Sequence, residues 1–274
     1  MDKKITLIIT GQLRLKENQK IKEKINYHID KLKPHNTILF LWDNEYKQYQ
    51  NEINKLNIQT IIGDSKLPHI SENIIRDMKN ALNKQHDTKI PFLYENFYRL
   101  FFSKVLKQIY QIQHIYQNIK TNSDIYIKTR YDNVYLNDFE INTLIKDFYN
   151  ENKPIISTPF GGDYANIGLG DLLTITNNKA NKIYQSFYDT YIQELSNNKC
   201  PMNVELFLRY IFKNLNHADI YRFHFIMTTE RHKDNNLIYH VDRNIYQQYG
   251  FQKLGEIIGK DNLYLLQYYK NHIV

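Results

Sequence analysis

The sequence is poor in the residues that usually announce a chemistry. It holds a single cysteine, Cys200, in 274 residues. One thiol closes no intramolecular disulfide, and without a Cys/His spacing of the zinc type it builds no zinc site, so a reducing, cytoplasmic interior is the expected setting. Glycine and proline are scarce, at 9 and 6 residues. No Gly-x-Gly-x-x-Gly turn, Walker-type loop or Gly-x-Ser-x-Gly elbow occurs among them, which argues against classical dinucleotide, P-loop and hydrolase readings. Every apolar stretch is broken by Lys, Asn or Asp well short of the roughly 20 residues that span a bilayer. The basic start is followed by an apolar run too short for a signal peptide, and it reads as a buried first strand.

What is abundant is charge of both signs with a basic excess, 36 Lys and Arg against 29 Asp and Glu, for a net charge of +7. Such an excess suits nucleic acid, an anionic membrane face or an acidic substrate such as a sugar nucleotide. The lysines are scattered rather than gathered into a run, which is the pattern of a solvated surface, so no nucleic-acid partner is expected. Peripheral association with the cytoplasmic face of the inner membrane is compatible with the same charge. Tyrosine and phenylalanine are plentiful, 23 and 14. With the many Asn, Lys and Ile residues they carry the imprint of an AT-rich genome rather than of carbohydrate stacking.

Apolar runs alternate along the chain with stretches of helical spacing. Ile5 to Ile9 ends at Thr10-Gly11-Gln12-Leu13-Arg14, and Lys and Glu then alternate with Ile through Leu32, giving strand, glycine-containing turn and helix. Buried strands are expected at Thr37 to Trp42 and Ile58 to Ile62, a polar helix from Ser71 to Lys84, and a long amphipathic helix from Tyr94 to Lys120. The apolar stripe of that helix is read as Phe97, Phe101, Val105, Ile109, Ile112 and Ile115. Asp124 to Val134 reads as a central strand running into a loop, and Pro154 to Pro159 as a short extended segment. Loop and strand follow to Thr176, helices over Lys179 to Leu195 and Asn203 to Asn214, and a strand over Ile220 to Met227. These βαβ units predict an α/β fold with a mostly parallel sheet flanked by helices. No repeat, low-complexity tract or flexible linker divides residues 1–274, so a single domain is expected.

The richest segment chemically is Asp124 to Asn133, a short strand ending in Arg130, Asp132 and Asn133. Open α/β sheets bind ligands at the carboxyl ends of their strands. A diphosphate leaving group needs either a divalent cation or fixed cations, and an Asp beside an Arg offers both; an ordinary surface ion pair is the plainer alternative. Asp43 closes the second strand, where it could accept from a ribose or uracil-type group or serve as a helix cap. Trp42 reads as core. Asp163 and Asp171 flank glycines 161, 162, 168 and 170, a stretch able to close over a ligand. Histidines 217, 224, 232 and 240 match no zinc spacing.

Taken together, Ile9-Thr-Gly-Gln-Leu-Arg14, Ile38-Leu-Phe-Leu-Trp-Asp43, Glu95-Asn-Phe-Tyr-Arg99 and Tyr126-Ile-Lys-Thr-Arg-Tyr-Asp132 resemble the bacterial lipopolysaccharide and capsule glycosyltransferases, enzymes of GT-A-like (Rossmann-like) fold. The likeness continues through Gly170-Asp171-Leu-Leu-Thr-Ile and Asn203-Val-Glu205-Leu-Phe-Leu, and so covers most of the chain in order. The resemblance implies a nucleotide-sugar donor and a glycan acceptor. Residues 1–135 would then form the nucleotide-sugar-binding half and 136–274 the acceptor side. Gly11, Gln12 and Arg14 would line the donor nucleotide at the first strand–helix turn, and Arg99 would contact the donor or the central loop. Asp132 would take the place of the second acid of the family's Asp-x-Asp motif, which binds manganese or magnesium; Arg at position 130 departs from that motif and puts metal dependence in question. Asp171 resembles the acceptor-side acid, with Glu205 the other candidate base. The activity expected is transfer of a sugar to a hydroxyl of lipopolysaccharide or capsule. The alternatives are a phospho-group or phosphosugar transferase of capsule synthesis and a non-enzymatic basic binding module.

Overall fold

A computed structural model describes residues 3–11, 13, 21–86, 95–135, 152–159, 169–197, 199, 201, 204–223, 227–233 and 236–241. The elements begin with β1 (Ile5–Thr10), α1 (Ile21–Leu32), β2 (Asn36–Trp42), α2 (Asp43–Ile53), β3 (Gln59–Gly63), α3 (Glu72–His86) and α4 (Glu95–Asn118). There follow β4 (Ile125–Arg130), β5 (Asn133–Tyr135), β6 (Ile155–Pro159), β7 (Leu173–Asn177), α5 (Asn178–Tyr184), α6 (Phe187–Ser196) and α7 (Val204–Arg209). The last helix continues as a π-helical turn, Tyr210–Leu215, before β8 (Asp219–Phe223), β9 (Met227–Lys233) and β10 (Asn236–Val241).

The main sheet has seven strands in the order β3-β2-β1-β4-β7-β6-β8. All share one direction except β7, which runs antiparallel to both β4 and β6. The mostly parallel α/β sheet flanked by helices expected from the sequence is therefore found, with one reversed strand. A second, three-stranded sheet joins β5 to the β9–β10 hairpin. Its β9 starts where one continuous strand to Met227 was expected.

Strands buried on both faces read as unbroken apolar runs, and β1 is buried at every position. One face of the sheet offers Ile8, Ile38, Phe40, Tyr126 and Ile156 to the core beneath α4, and the other offers Leu7, Ile9, Leu39, Leu41, Ile127 and Ile175 to Ile21, Ile25 and Leu32 of α1. The apolar stripe of α4 differs from the expected one at its start, because Phe102 is fully buried while Phe101 stands 39% exposed. Both residues lie within one turn of Val105, so helical spacing alone does not choose between them.

The helix expected over Lys179 to Leu195 is two helices, parted at Gln185 and Ser186. Gln113 of α4 explains the break. Its Oε1 accepts from the amides of Tyr188 and Asp189 at 2.7 and 3.0 Å, and its Nε2 donates to Asp189 at 2.9 Å. First-turn amides that lack a helical partner are thus satisfied by a neighbouring helix rather than by a local cap.

Candidate functional site at the carboxyl edge of the sheet

β1 and β4 lie side by side, with Thr10 opposite Arg130. Their pairing extends one residue further through a 2.9 Å bond from Tyr131 N to Thr10 O. Gly11 follows with φ at +97°, a conformation glycine adopts readily. A side chain there would meet Arg130 Cβ only at an ordinary 3.7 Å, so the backbone angle rather than space calls for glycine.

Arg130 and Asp132 form a two-bond fork, Nε to Oδ1 and Nη2 to Oδ2, each 2.8 Å. Asp132 is 2% exposed and Arg130 22%, so the carboxylate is sunk and the guanidinium partly faces out. Burial opposes the Arg130 charge, but the Asp132 fork and the nearby Asp171 outweigh it and raise the pKa further.

The turn carrying this pair is braced from below. His28 of α1 places Nδ1 2.8 Å from the Tyr135 hydroxyl and Nε2 3.4 Å from the Tyr131 carbonyl. A carbonyl only accepts, so Nε2 carries the proton and Nδ1 accepts from Tyr135. Asn133 Nδ2 donates to Thr129 Oγ1, and Thr129 Oγ1 lies 2.9 Å from the Tyr135 hydroxyl. Donors therefore run one way, from Asn133 through Thr129 and Tyr135 to His28. Tyr131 also donates to Phe40 O, and Tyr27 accepts from Tyr135 N.

Burial lowers the His28 pKa from 6.5 to about 4, with Lys24 adding to the fall and the Tyr131 carbonyl and Asp132 opposing it. The native histidine stays neutral through a range in which the unfolded chain takes up a proton, so stability falls as pH drops from 6.5 toward 4. A shift of this size corresponds to about 3 kcal/mol. Urea unfolding across that range is expected to show a dependence flattened by about one proton in His28→Gln. An unchanged slope would show that His28 is not buried neutral.

Asp171 reaches the same edge because β7 is reversed. Leu173 opposes Thr129, so the start of β7 lies beside the end of β4. Asp171 is 7% exposed. Gln108 Nε2 donates to its Oδ2, and Lys128 Nζ donates to its main-chain oxygen. Asn133 Nδ2 also donates to Leu172 O at 2.8 Å. The main-chain oxygen of Glu205 accepts from Leu169 N at 2.9 Å, which ties the first turn of α7 to the segment leading to Asp171. The structure thus gathers Gly11, Arg130, Asp132, Asn133 and Asp171 at one edge, with the backbone of Glu205 alongside.

Lys128 sits inside the sheet, 3% exposed. Burial lowers its pKa from 10.5 to about 8; Asp171 works against that fall and Arg130 adds to it. Below pH 8 the ammonium is held in the core at a cost, and stability rises between pH 8 and 10.5, where only the unfolded chain retains the proton. Lys128→Met is expected to raise stability near neutral pH by about 1–3 kcal/mol and to remove that rise. Chemical denaturation at several pH values would show it, and a less stable variant would mean that the bond to the Asp171 main-chain oxygen outweighs the cost of burying the ammonium.

Other expected residues lie apart. Asp43 begins α2 and accepts from Ser65 N at 3.0 Å; the Ser65 bonds lower its pKa. Beside it, Trp42 meets Phe40 edge-on, with Lys107 Nζ 5.8 Å above its ring. Glu45 joins this end of β2 to the first turn, its Oε1 accepting from Leu13 N and its Oε2 from Trp42 N. Arg99 forks onto Glu72 of α3 at 2.8 and 2.9 Å. Gln12, Arg14, Asp163, His224 and glycines 161, 162 and 168 lie outside the described residues.

Asp132 does not fit a divalent cation as it stands. Both of its oxygens accept from Arg130, and no group of three His, Cys, Asp or Glu residues able to hold a metal occurs among the described residues. Among the described residues, the positive charge that reaches the open edge is that of Arg130, while Lys128 lies within the sheet and donates to the Asp171 main-chain oxygen. Lys128 and Gln108 were missed in the sequence because Lys in a strand and Gln on a helix read as solvent-facing. The available signal was that Lys128 interrupts a strand otherwise buried on both faces.

No protein-family model matches this chain, and no curated protein is recognisably similar to it. Among solved structures, it is similar to 4-diphosphocytidyl-2C-methyl-D-erythritol synthase from Anaerococcus prevotii at 12% identity and TM-score 0.42, covering 90% of this chain and 99% of that one. It is similar to HddC from Yersinia pseudotuberculosis at 9% identity and TM-score 0.41, covering 83% and 93%. A glycosyltransferase involved in glycosylation of the major capsid of PBCV-1 follows at 10% identity and TM-score 0.33, covering 81% and 82%.

Proposed function

We propose that the chain is a nucleotide-sugar-dependent glycosyltransferase that moves a sugar to a hydroxyl of a cell-surface glycan, lipopolysaccharide or capsule. The observation that carries this reading is the meeting, at one sheet edge, of a partly exposed guanidinium fixed by a buried carboxylate, a second carboxylate from a distant part of the chain, and a glycine turn. In the reaction, the bond from the anomeric carbon to the diphosphate breaks and a bond to the acceptor oxygen forms. The hydroxyl proton passes to Asp171, with Glu205 the other candidate base. The departing diphosphate leaves toward Arg130, whose charge is already oriented and needs no rearrangement as the negative charge develops. Gly11 lets backbone amides approach the donor, with Gln12 and Arg14 beside it.

We read the chain as one folding unit, since β4 of the first half pairs with β7 of the second within a single sheet. Asp43, which at the start of α2 accepts from Ser65 N, would accept from the donor's ribose or base with its other oxygen, and Arg99 would be a more remote donor contact. Among the described residues no helix is long and apolar enough to cross a membrane. The proposed setting is the cytoplasm, with the basic surface resting on the inner membrane.

A thermal-shift screen against UDP, GDP, CDP and CMP, each with and without manganese, tests the reading. One nucleotide is expected to raise the midpoint in the unsubstituted chain, because a ligand of the native state stabilises it. A shift only with manganese would show that a divalent cation accompanies the nucleotide, and loss of that dependence in Asp132→Asn would assign the cation to this carboxylate. No shift with any of the four would sink the proposal.

A further inference from the structure

We propose that Gln108 and Lys128 are positioning residues that aim Asp171 into the site, an inference that rests on the transferase reading. The segment from Leu169 to Leu172 is fastened from four elements. α7 takes the Leu169 amide, Lys128 of β4 takes the Asp171 carbonyl, Gln108 of α4 takes the Asp171 carboxylate, and Asn133 of β5 takes the Leu172 carbonyl. A connection into a strand closes without such fastening, and two of the four bonds fall on Asp171 itself.

The two residues do different things. Gln108 fixes the direction of the carboxylate, and as a neutral amide it orients the group without placing a positive charge against it. Lys128 fixes the main chain from which that carboxylate projects. An apolar residue at position 128 would pack against the core beneath α4, so stability does not account for a lysine there. A base works only within hydrogen-bond reach of the proton it accepts, and small displacements are costly.

The test uses the full chain with Gln108→Leu and Lys128→Gln, alone and in an Asp171→Asn background. Two quantities are read: release of nucleoside diphosphate from sugar donors of the base that binds, and calorimetric affinity for that diphosphate. Each single variant is expected to lower kcat about tenfold to a hundredfold with affinity within about twofold, and neither is expected to lower turnover further once Asp171 is asparagine. Losses that multiply in both backgrounds, or affinity falling in step with kcat, would overturn the inference. So would unchanged turnover in Gln108→Leu where Asp171→Asn is inactive, and that result would leave the transferase reading standing. Failure of the unsubstituted chain to bind any nucleoside diphosphate would overturn both. Carboxyl-labelled aspartate gives a readout independent of turnover. The carbon resonance lost in Asp171→Asn is expected to move in Gln108→Leu, and a resonance that stays in place would refute the contact.

Discussion

Asp171→Asn is expected to lower turnover by about a hundredfold to ten-thousandfold while nucleoside diphosphate affinity changes little. The amide keeps the size of the side chain and still meets Gln108 through its oxygen, so the fold should persist. What is lost is the capacity to take the acceptor proton as the new bond forms. Glu205→Gln serves as the internal comparison, because Glu205 is the other candidate base and its main-chain oxygen already holds the Leu169 amide of this segment. Steady-state kinetics on both variants decides between the two carboxylates. A large loss in Glu205→Gln with near-normal turnover in Asp171→Asn would move the base to α7.

The second large effect concerns stability. Arg130→Met strips the guanidinium from a carboxylate that is 2% exposed, and removing one partner of such a pair costs about 3–5 kcal/mol. The penalty comes from the stranded charge rather than from the bond itself. The double variant Arg130→Met, Asp132→Leu removes both charges and is expected to recover most of the loss, measured by urea denaturation. Both variants should fail to bind the nucleoside diphosphate, since neither retains the cation. A single variant as stable as the parent would mean that water reaches Asp132 once Arg130 is gone.

Much of this molecule is legible in its sequence, for identifiable reasons. The parallel strands show as unbroken apolar runs because helices cover both of their faces, and α4 shows through its long periodic stripe. Arg130, Asp132 and Asp171 stand out as charges at the ends of such runs. The direction of β7 was not legible: Leu-Thr-Ile-Thr-Asn reads the same whether a strand runs up or down, and direction is set by the connection. The break between α5 and α6 is imposed by Gln113 from another helix, which no local pattern encodes. The hairpin strand Met227–Lys233 carries Thr, Glu, Arg, His and Lys, too polar to announce itself as extended. Lys128 was missed because periodicity assigns a lysine to solvent, and only the tertiary arrangement puts it inside.

The interior place of β1 in the sheet has a consequence for how the chain is made. Its two neighbours, β2 and β4, reach it from very different distances along the sequence, Ile9 pairing with Leu39 on one side and with Thr129 on the other. A growing chain emerges amino end first, so β1 acquires β2 early and then waits while the whole of α2, β3, α3 and α4 is synthesised. Throughout that interval one edge of a largely apolar strand lies open, the form in which nascent chains recruit one another. The demand on chaperones should therefore begin well before residue 130 leaves the ribosome. The edge that carries Arg130 and Asp132 forms only when that wait ends, with β4 open in turn on its far side until β7 arrives.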